Sequence, residues 1–120
     1  MAKKVLLIEN DPFLTGIYVD KFEEAGYAIE ASDNAESGIK KAKDYKPDLI
    51  VVDTDVPGMD GFELLRELNS TDIPVVVFSN REDEEDFEKS KELGAVDYLV
   101  KSQHTSSEVV AKVDKMLSNH

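Results

Sequence analysis

In PDLIVVDTDVPGMDGFELL, residues 47–65, four apolar residues, Leu49 to Val52, run straight into Asp53 and Asp55. A short, continuous, β-branched apolar run suits a strand buried on both faces, the habit of parallel sheets. Pro57 and Gly58 then break the chain. Beyond Gly61, Phe62, Leu65 and Leu68 recur at helical spacing. The two carboxylates between strand and helix either cap the helix or do chemistry at a strand end. The helix begins well past Asp53, which argues against a cap there.

The same alternation extends in both directions. VLLI (5–8), VVVF (75–78) and YLV (98–100) read as further buried strands, and YAIEA (27–31), alternating with polar positions, as an edge strand. Asp11-Pro12 marks a helix start, an Asp N-cap with Pro at the first helical position. Leu14, Ile17, Tyr18, Lys21, Phe22 and Ala25 then share one face, and Gly26 ends the helix. Ala35, Ile39 and Ala42 mark a second helix ending before Pro47. Phe87, Ser90 and Leu93 mark the fourth, closed by Gly94, and Val109, Val110, Val113, Met116 and Leu117 the fifth. Five strand–helix repeats with short connections and right-handed crossovers predict an α/β fold with a parallel five-stranded sheet covered on both faces. In such sheets ligands sit beyond the carboxyl ends of the strands.

Composition narrows the chemistry. The 120 residues suit a single domain, 1–120, and contain no cysteine, which excludes disulfides, thiolate catalysis and zinc–cysteine sites. The formal charge of −12 disfavours direct contact with nucleic acid. No apolar run reaches the roughly 20 residues a membrane span needs, and MAKKVLLIEN is no secretory signal, so the expectation is a cytoplasmic chain. The acidic run EDEEDFE, Glu82 to Glu88, reads as a solvated first helical turn at the positive end of the helix dipole. His104 and His120 have no partner at ligand spacing.

The predicted strand ends carry Glu9-Asn10-Asp11, Asp53-Thr54-Asp55, Ser79-Asn80 and Lys101. A parallel sheet brings them to one rim. Carboxylates there suit Mg²⁺, a hard cation that prefers oxygen. A lysine suits the charge on phosphoryl oxygens, and a carboxylate can itself be the nucleophile, giving an acyl phosphate.

LLIENDP, PDLIVVDTDVPGMDGFELL, IPVVVFSN and GAVDYLVK together resemble the receiver domains of bacterial two-component response regulators, and the resemblance covers Lys4 to about Leu117. It implies a flavodoxin-like fold with strand order 2-1-3-4-5. It implies that Asp53 accepts a phosphoryl group from a phosphohistidine on a sensor histidine kinase or histidine phosphotransfer domain. Glu9 and Asn10 match the acidic pair that holds Mg²⁺, together with Asp53 and the backbone carbonyl of Asp55. Ser79 matches the family's switch hydroxyl, Lys101 its phosphate-pairing lysine and Tyr98 its switch aromatic, while Gly58 shapes the adjacent loop. Phosphorylation would draw Ser79 inward, turn Tyr98 into the vacated space and alter the helix 4, strand 5 and helix 5 face. Phe13 and Val19 on helix 1 are candidate kinase contacts, and the output is a downstream protein target or an output domain of a longer regulator.

Three positions depart from the family pattern. Asn10 replaces an acid, which weakens the expected metal site. Ser102 replaces a proline, so the Lys101–Ser102 bond is expected trans and the lysine loop looser. Asn80 replaces a small residue and, with the Asp55 side chain, is expected to control access. Two rival readings stand beside this one. A pseudo-receiver would bind partners without phosphorylation. An aspartyl phosphatase would use DTD as a DxD motif, with Asp55 as acid/base.

Overall fold

The computed structural model describes residues 2–118, so His120 lies outside the described residues. Five strands alternate with five α-helices: β1 Lys4–Ile8, α1 Pro12–Glu24, β2 Ala28–Ser32, α2 Ala35–Tyr45, β3 Leu49–Val52, α3 Gly61–Asn69, β4 Val75–Ser79, α4 Glu84–Glu92, β5 Asp97–Val100 and α5 Ser106–Ser118. The sheet is parallel throughout, in the order β2-β1-β3-β4-β5. β2 lies at an edge, as its alternation predicts, but starts one residue later, at Ala28. Tyr27 is instead buried against Phe22, rings edge to face at 5.6 Å, and its hydroxyl donates to Asp114 on α5.

The period of two along each strand divides the core. Val5, Leu7, Leu49, Val51, Val76 and Phe78 face Tyr18 and Phe22 of α1 and Val109, Val113 and Leu117 of α5. Leu6, Ile8, Ile50, Val52, Val75 and Val77 face Ala35 and Ala42 of α2 and Leu64, Leu65 and Leu68 of α3. Leu64 is a core residue that the spacing of Phe62, Leu65 and Leu68 passes over, and Ala25, placed on the core face of α1, is exposed. Of the two candidate contacts on α1, Val19 is half-buried, whereas Phe13 is 76% exposed. No helix among the described residues is long and apolar enough to cross a membrane.

The β3–α3 loop, which shapes the rim, has two fixed points. Gly58 takes φ of 107°, a region that side chains disfavour, and its neighbour Pro57 accepts a 2.9 Å bond from the Ala35 amide at the start of α2. Gly61 opens α3 so close to the loop that a Cβ would lie 2.5 Å from the Thr54 carbonyl oxygen. The cap of α3 is Asp60, whose carboxylate accepts from the Phe62 and Glu63 amides, leaving Asp53 free of that task.

Candidate functional site at the carboxyl ends of the strands

Glu9 leaves β1 and Asp53 leaves β3 side by side, because the Asp53 amide donates to the Ile8 carbonyl at 2.8 Å. Both are buried, at 2% and 5% exposure. Lys101, the first residue after β5, closes the group: its Nζ donates to Glu9 Oε1 at 2.6 Å and Asp53 Oδ2 at 2.7 Å. It also lies 5.1 Å from the centre of the Phe78 ring, a cation–π contact. Burial pulls the Lys101 pKa down, but hydrogen bonds and charge from Asp53 and Glu9 outweigh it and raise the pKa above the lysine norm.

The remaining carboxylate oxygens are also anchored. Glu9 Oε2 accepts from the Asp11 amide at 3.0 Å, and Asp53 Oδ1 from the Asp55 amide at 2.8 Å. Asp11 itself caps α1 through the Phe13 and Leu14 amides, so its side chain does not substitute for an acid at Asn10. Asn10 is exposed and, with Glu9, lines an open cleft of about 610 Å³ between the starts of α1 and α2. Two carboxylates against one ammonium leave one surplus negative charge. Oxygen donors with spare lone pairs and net negative charge suit a hard divalent cation. Among the described residues, however, no three His, Cys, Asp or Glu side chains are grouped to hold a metal. Asn10, an amide, follows Glu9 at the same rim.

On the β4 side, Ser79 is fully buried and its Oγ accepts from the Arg81 amide at 3.0 Å. Asn80 is exposed and its side chain makes no hydrogen bond to a described residue. Arg81 does more at the rim. Its Nη2 donates to Asp55 Oδ1 at 2.7 Å and its Nε to Oδ2 at 3.4 Å, so the Asp55 carboxylate is tied to a guanidinium. The Tyr98 hydroxyl donates to Asp86 Oδ2 at 2.5 Å, and its oxygen lies 3.2 Å from the Arg81 carbonyl oxygen. Burial first, then the bond to Asp86, pushes the Tyr98 pKa up to about 12, against an opposing hydrogen bond from Ser79.

The Lys101–Ser102 bond is trans, as expected, with no cis peptide among the described residues. Residues Lys101–Gln103 wind into a 3₁₀ turn, and Gln103 Nε2 donates to Glu82 at 2.7 Å. The acidic run, expected to be solvated, is not wholly so, because Asp86 is buried. Arg81 and Asp86 carry no mark in the sequence that separates them from their charged neighbours. Their only signals are position, two residues beyond Ser79 for Arg81 and three beyond the α4 cap Asp83 for Asp86.

Residues 5–114 match the response regulator receiver domain family. The chain belongs to this family. As a receiver domain it is 32% identical over 119 residues to the alkaline phosphatase synthesis transcriptional regulatory protein PhoP of Bacillus subtilis, covering 98% of this chain and 49% of that protein. It is 33% identical over 115 residues to the transcriptional regulatory protein BaeR of Escherichia coli, covering 95% of this chain and 48% of that one. The chain thus spans about half the length of these relatives. Its fold matches a CheY-like response regulator receiver domain protein from Methanospirillum hungatei with a TM-score of 0.92 at 21% identity, covering 99% of this chain and 96% of that one.

Proposed function

We propose that Asp53 of this receiver domain accepts a phosphoryl group from a phosphohistidine of a sensor histidine kinase or phosphotransfer domain. The observation that carries the reading is the shared ammonium: Lys101 bonds Glu9 and Asp53 at once, at 2.6 and 2.7 Å, in a buried pocket at the strand ends. In the transfer an Asp53 oxygen forms its bond to phosphorus as the phosphorus–nitrogen bond of the donor breaks, and the electron pair leaves with the imidazole. Lys101 then exchanges a carboxylate oxygen for a phosphoryl oxygen, which needs no more than a small swing of Nζ. Ser79 Oγ accepts from the Arg81 amide, and its O–H would turn from Tyr98 to donate to the phosphoryl group.

Glu9, Asn10, Asp53 and the backbone carbonyl of Asp55 would hold Mg²⁺. Bound there, the ion would neutralise charge on the phosphoryl oxygens beyond what Lys101 supplies. With an amide in place of one acid, its affinity is set low. The α4–β5–α5 face would carry the output to a downstream protein or to an output domain, and Phe13, exposed at the start of α1, would meet the donor.

Arg81 weighs against the phosphatase reading of DTD, because a carboxylate paired with a guanidinium is a poor general acid. The pseudo-receiver reading becomes an outcome of the test. Incubation with a small phosphodonor and Mg²⁺, followed by intact mass, should add one acid-labile phosphoryl group to the wild type and none to Asp53→Ala. Equal labelling of the variant, or no labelling of either at saturating Mg²⁺, would overturn the proposal, and the second result would favour partner binding without phosphorylation.

A further inference from the structure

Asp86 is a carboxylate that the phosphoryl chemistry leaves unused. It is 8% exposed, whereas Glu82, Asp83, Glu84 and Glu85 are all exposed. An acid in a first helical turn gains from the helix dipole at the surface and needs no burial. Burying it costs free energy unless it is hydrogen-bonded, so the partner matters. That partner is the Tyr98 hydroxyl, donated to Asp86 Oδ2 at 2.5 Å. The same hydroxyl reaches the Arg81 carbonyl at 3.2 Å, and Phe87, one residue after Asp86, packs edge to face on the Tyr98 ring at 5.7 Å. Arg81 in turn donates its amide to Ser79 and its guanidinium to Asp55. Asp86 and Tyr98 are therefore joined, through one residue, to both loops that flank Asp53. Swinging the ring outward would break the hydroxyl's bond to Asp86 and strand a buried carboxylate.

We propose that Asp86 is a positioning residue that holds Tyr98 turned in against Arg81 and Ser79 before any phosphoryl group arrives, so that the α4–β5 face rests largely pre-set. What the face does rests on the function proposed above, but the Asp86 contact does not. Loss of a hydrogen bond to a charged acceptor shifts the balance of the two ring positions on the order of tenfold or more.

The test is NMR of the whole chain with ¹³C-labelled tyrosine, with and without beryllofluoride and Mg²⁺. In the unloaded protein, Asp86→Ala should move the Ser79, Phe87 and Val96 amides and lower the Tyr98 ionisation midpoint below its value of about 12. Tyr98→Phe should move the same amides, and the double variant should add nothing to either. Asp86→Asn, which keeps the size and one acceptor oxygen, should lower the midpoint while moving the amides less, and it serves should the alanine variant fold poorly. On adding beryllofluoride, the α4–β5 amides should move further in Asp86→Ala than in the wild type. An unchanged Tyr98 midpoint and unmoved amides in both unloaded Asp86 variants would overturn the proposal, as would a wild-type face that moves as far as the variant's. Failure of the phosphoacceptor reading shows differently: Thr54, Asp55 and Lys101 would ignore the mimic in every variant, while the unloaded comparison still decides the role of Asp86.

Discussion

Replacing Lys101 by Met leaves Glu9 and Asp53 buried without the cation that joins them. Their bonded oxygens share one nitrogen, at 2.6 and 2.7 Å. They therefore lie within roughly 5 Å of each other, and at an effective dielectric of about 20 two like charges at that distance repel by about 3 kcal/mol. Removing one partner from a buried ion pair costs about 3–5 kcal/mol, so the two estimates agree. Methionine keeps most of the apolar stem and loses only the charged head, which limits the packing loss. Lys101→Met should thus lose about 3–5 kcal/mol, a large part of a typical total of about 5–15 kcal/mol. Urea unfolding followed by circular dichroism measures it. Asp53→Ala should lose far less, because Lys101 keeps Glu9. Saturating Mg²⁺ should restore part of the loss in Lys101→Met by replacing the missing charge. The raised Lys101 pKa sets the pH window. Its stabilisation is complete below the ordinary lysine value of 10.5 and disappears as pH rises through the raised value, so the gap from wild type stays level from neutral pH upward and closes only in strong alkali. A Lys101→Met variant within about 1 kcal/mol of wild type at neutral pH, without metal, would refute the reasoning, since a surface-type pair is worth no more than that.

Asn10→Asp should tighten Mg²⁺ on the order of tenfold, the effect of about 1.4 kcal/mol from one added charge, read as a left-shifted titration of tyrosine fluorescence; an unshifted curve would remove Asn10 from the metal set. Gly61→Ala should cost about 1–3 kcal/mol in urea unfolding, because its Cβ would meet the Thr54 carbonyl at 2.5 Å; an unchanged midpoint would show that α3 gives way freely. Tyr18, Tyr27, Tyr45 and Tyr98 all have raised pKa values, with burial the leading cause. An alkaline titration of tyrosinate absorbance on the folded protein should therefore have its midpoint above the usual value of 10, and a midpoint at or below 10 would contradict the packing of these rings.

The fold was legible because its signal is repetitive. Each buried strand is a short β-branched run with no polar interruption, and each helix has a cap or a stop that local chemistry dictates, such as Asp11-Pro12 and Gly94. The errors fall where tertiary packing overrides the local pattern. Tyr27 sits in the alternation of β2 yet packs as an anchor against Phe22 and Asp114. Leu64 falls between the positions a simple stripe selects. At the rim, the strand-end rule located Glu9, Asp53, Ser79 and Lys101, because strand ends are set by backbone pairing. Side-chain partners are not. Nothing in the run EDEEDFE distinguishes Asp86 until β5 places Tyr98 beside it. Arg81 is likewise an ordinary surface charge until the β3 loop brings Asp55 to it. The 3₁₀ turn over Lys101–Gln103 and its Gln103–Glu82 bond were hidden for the same reason, since the Glu82 partner comes from another loop.

The most direct test of the account is the amide spectrum of the whole chain with beryllofluoride and Mg²⁺ added together, recorded for the wild type and for Asp53→Ala. The predicted result is that the amides of Asp53, Thr54, Ser79 and Lys101 shift in the wild type and stay in place in the variant. Wild-type amides that do not move at saturating Mg²⁺, or that move equally in both proteins, would contradict it.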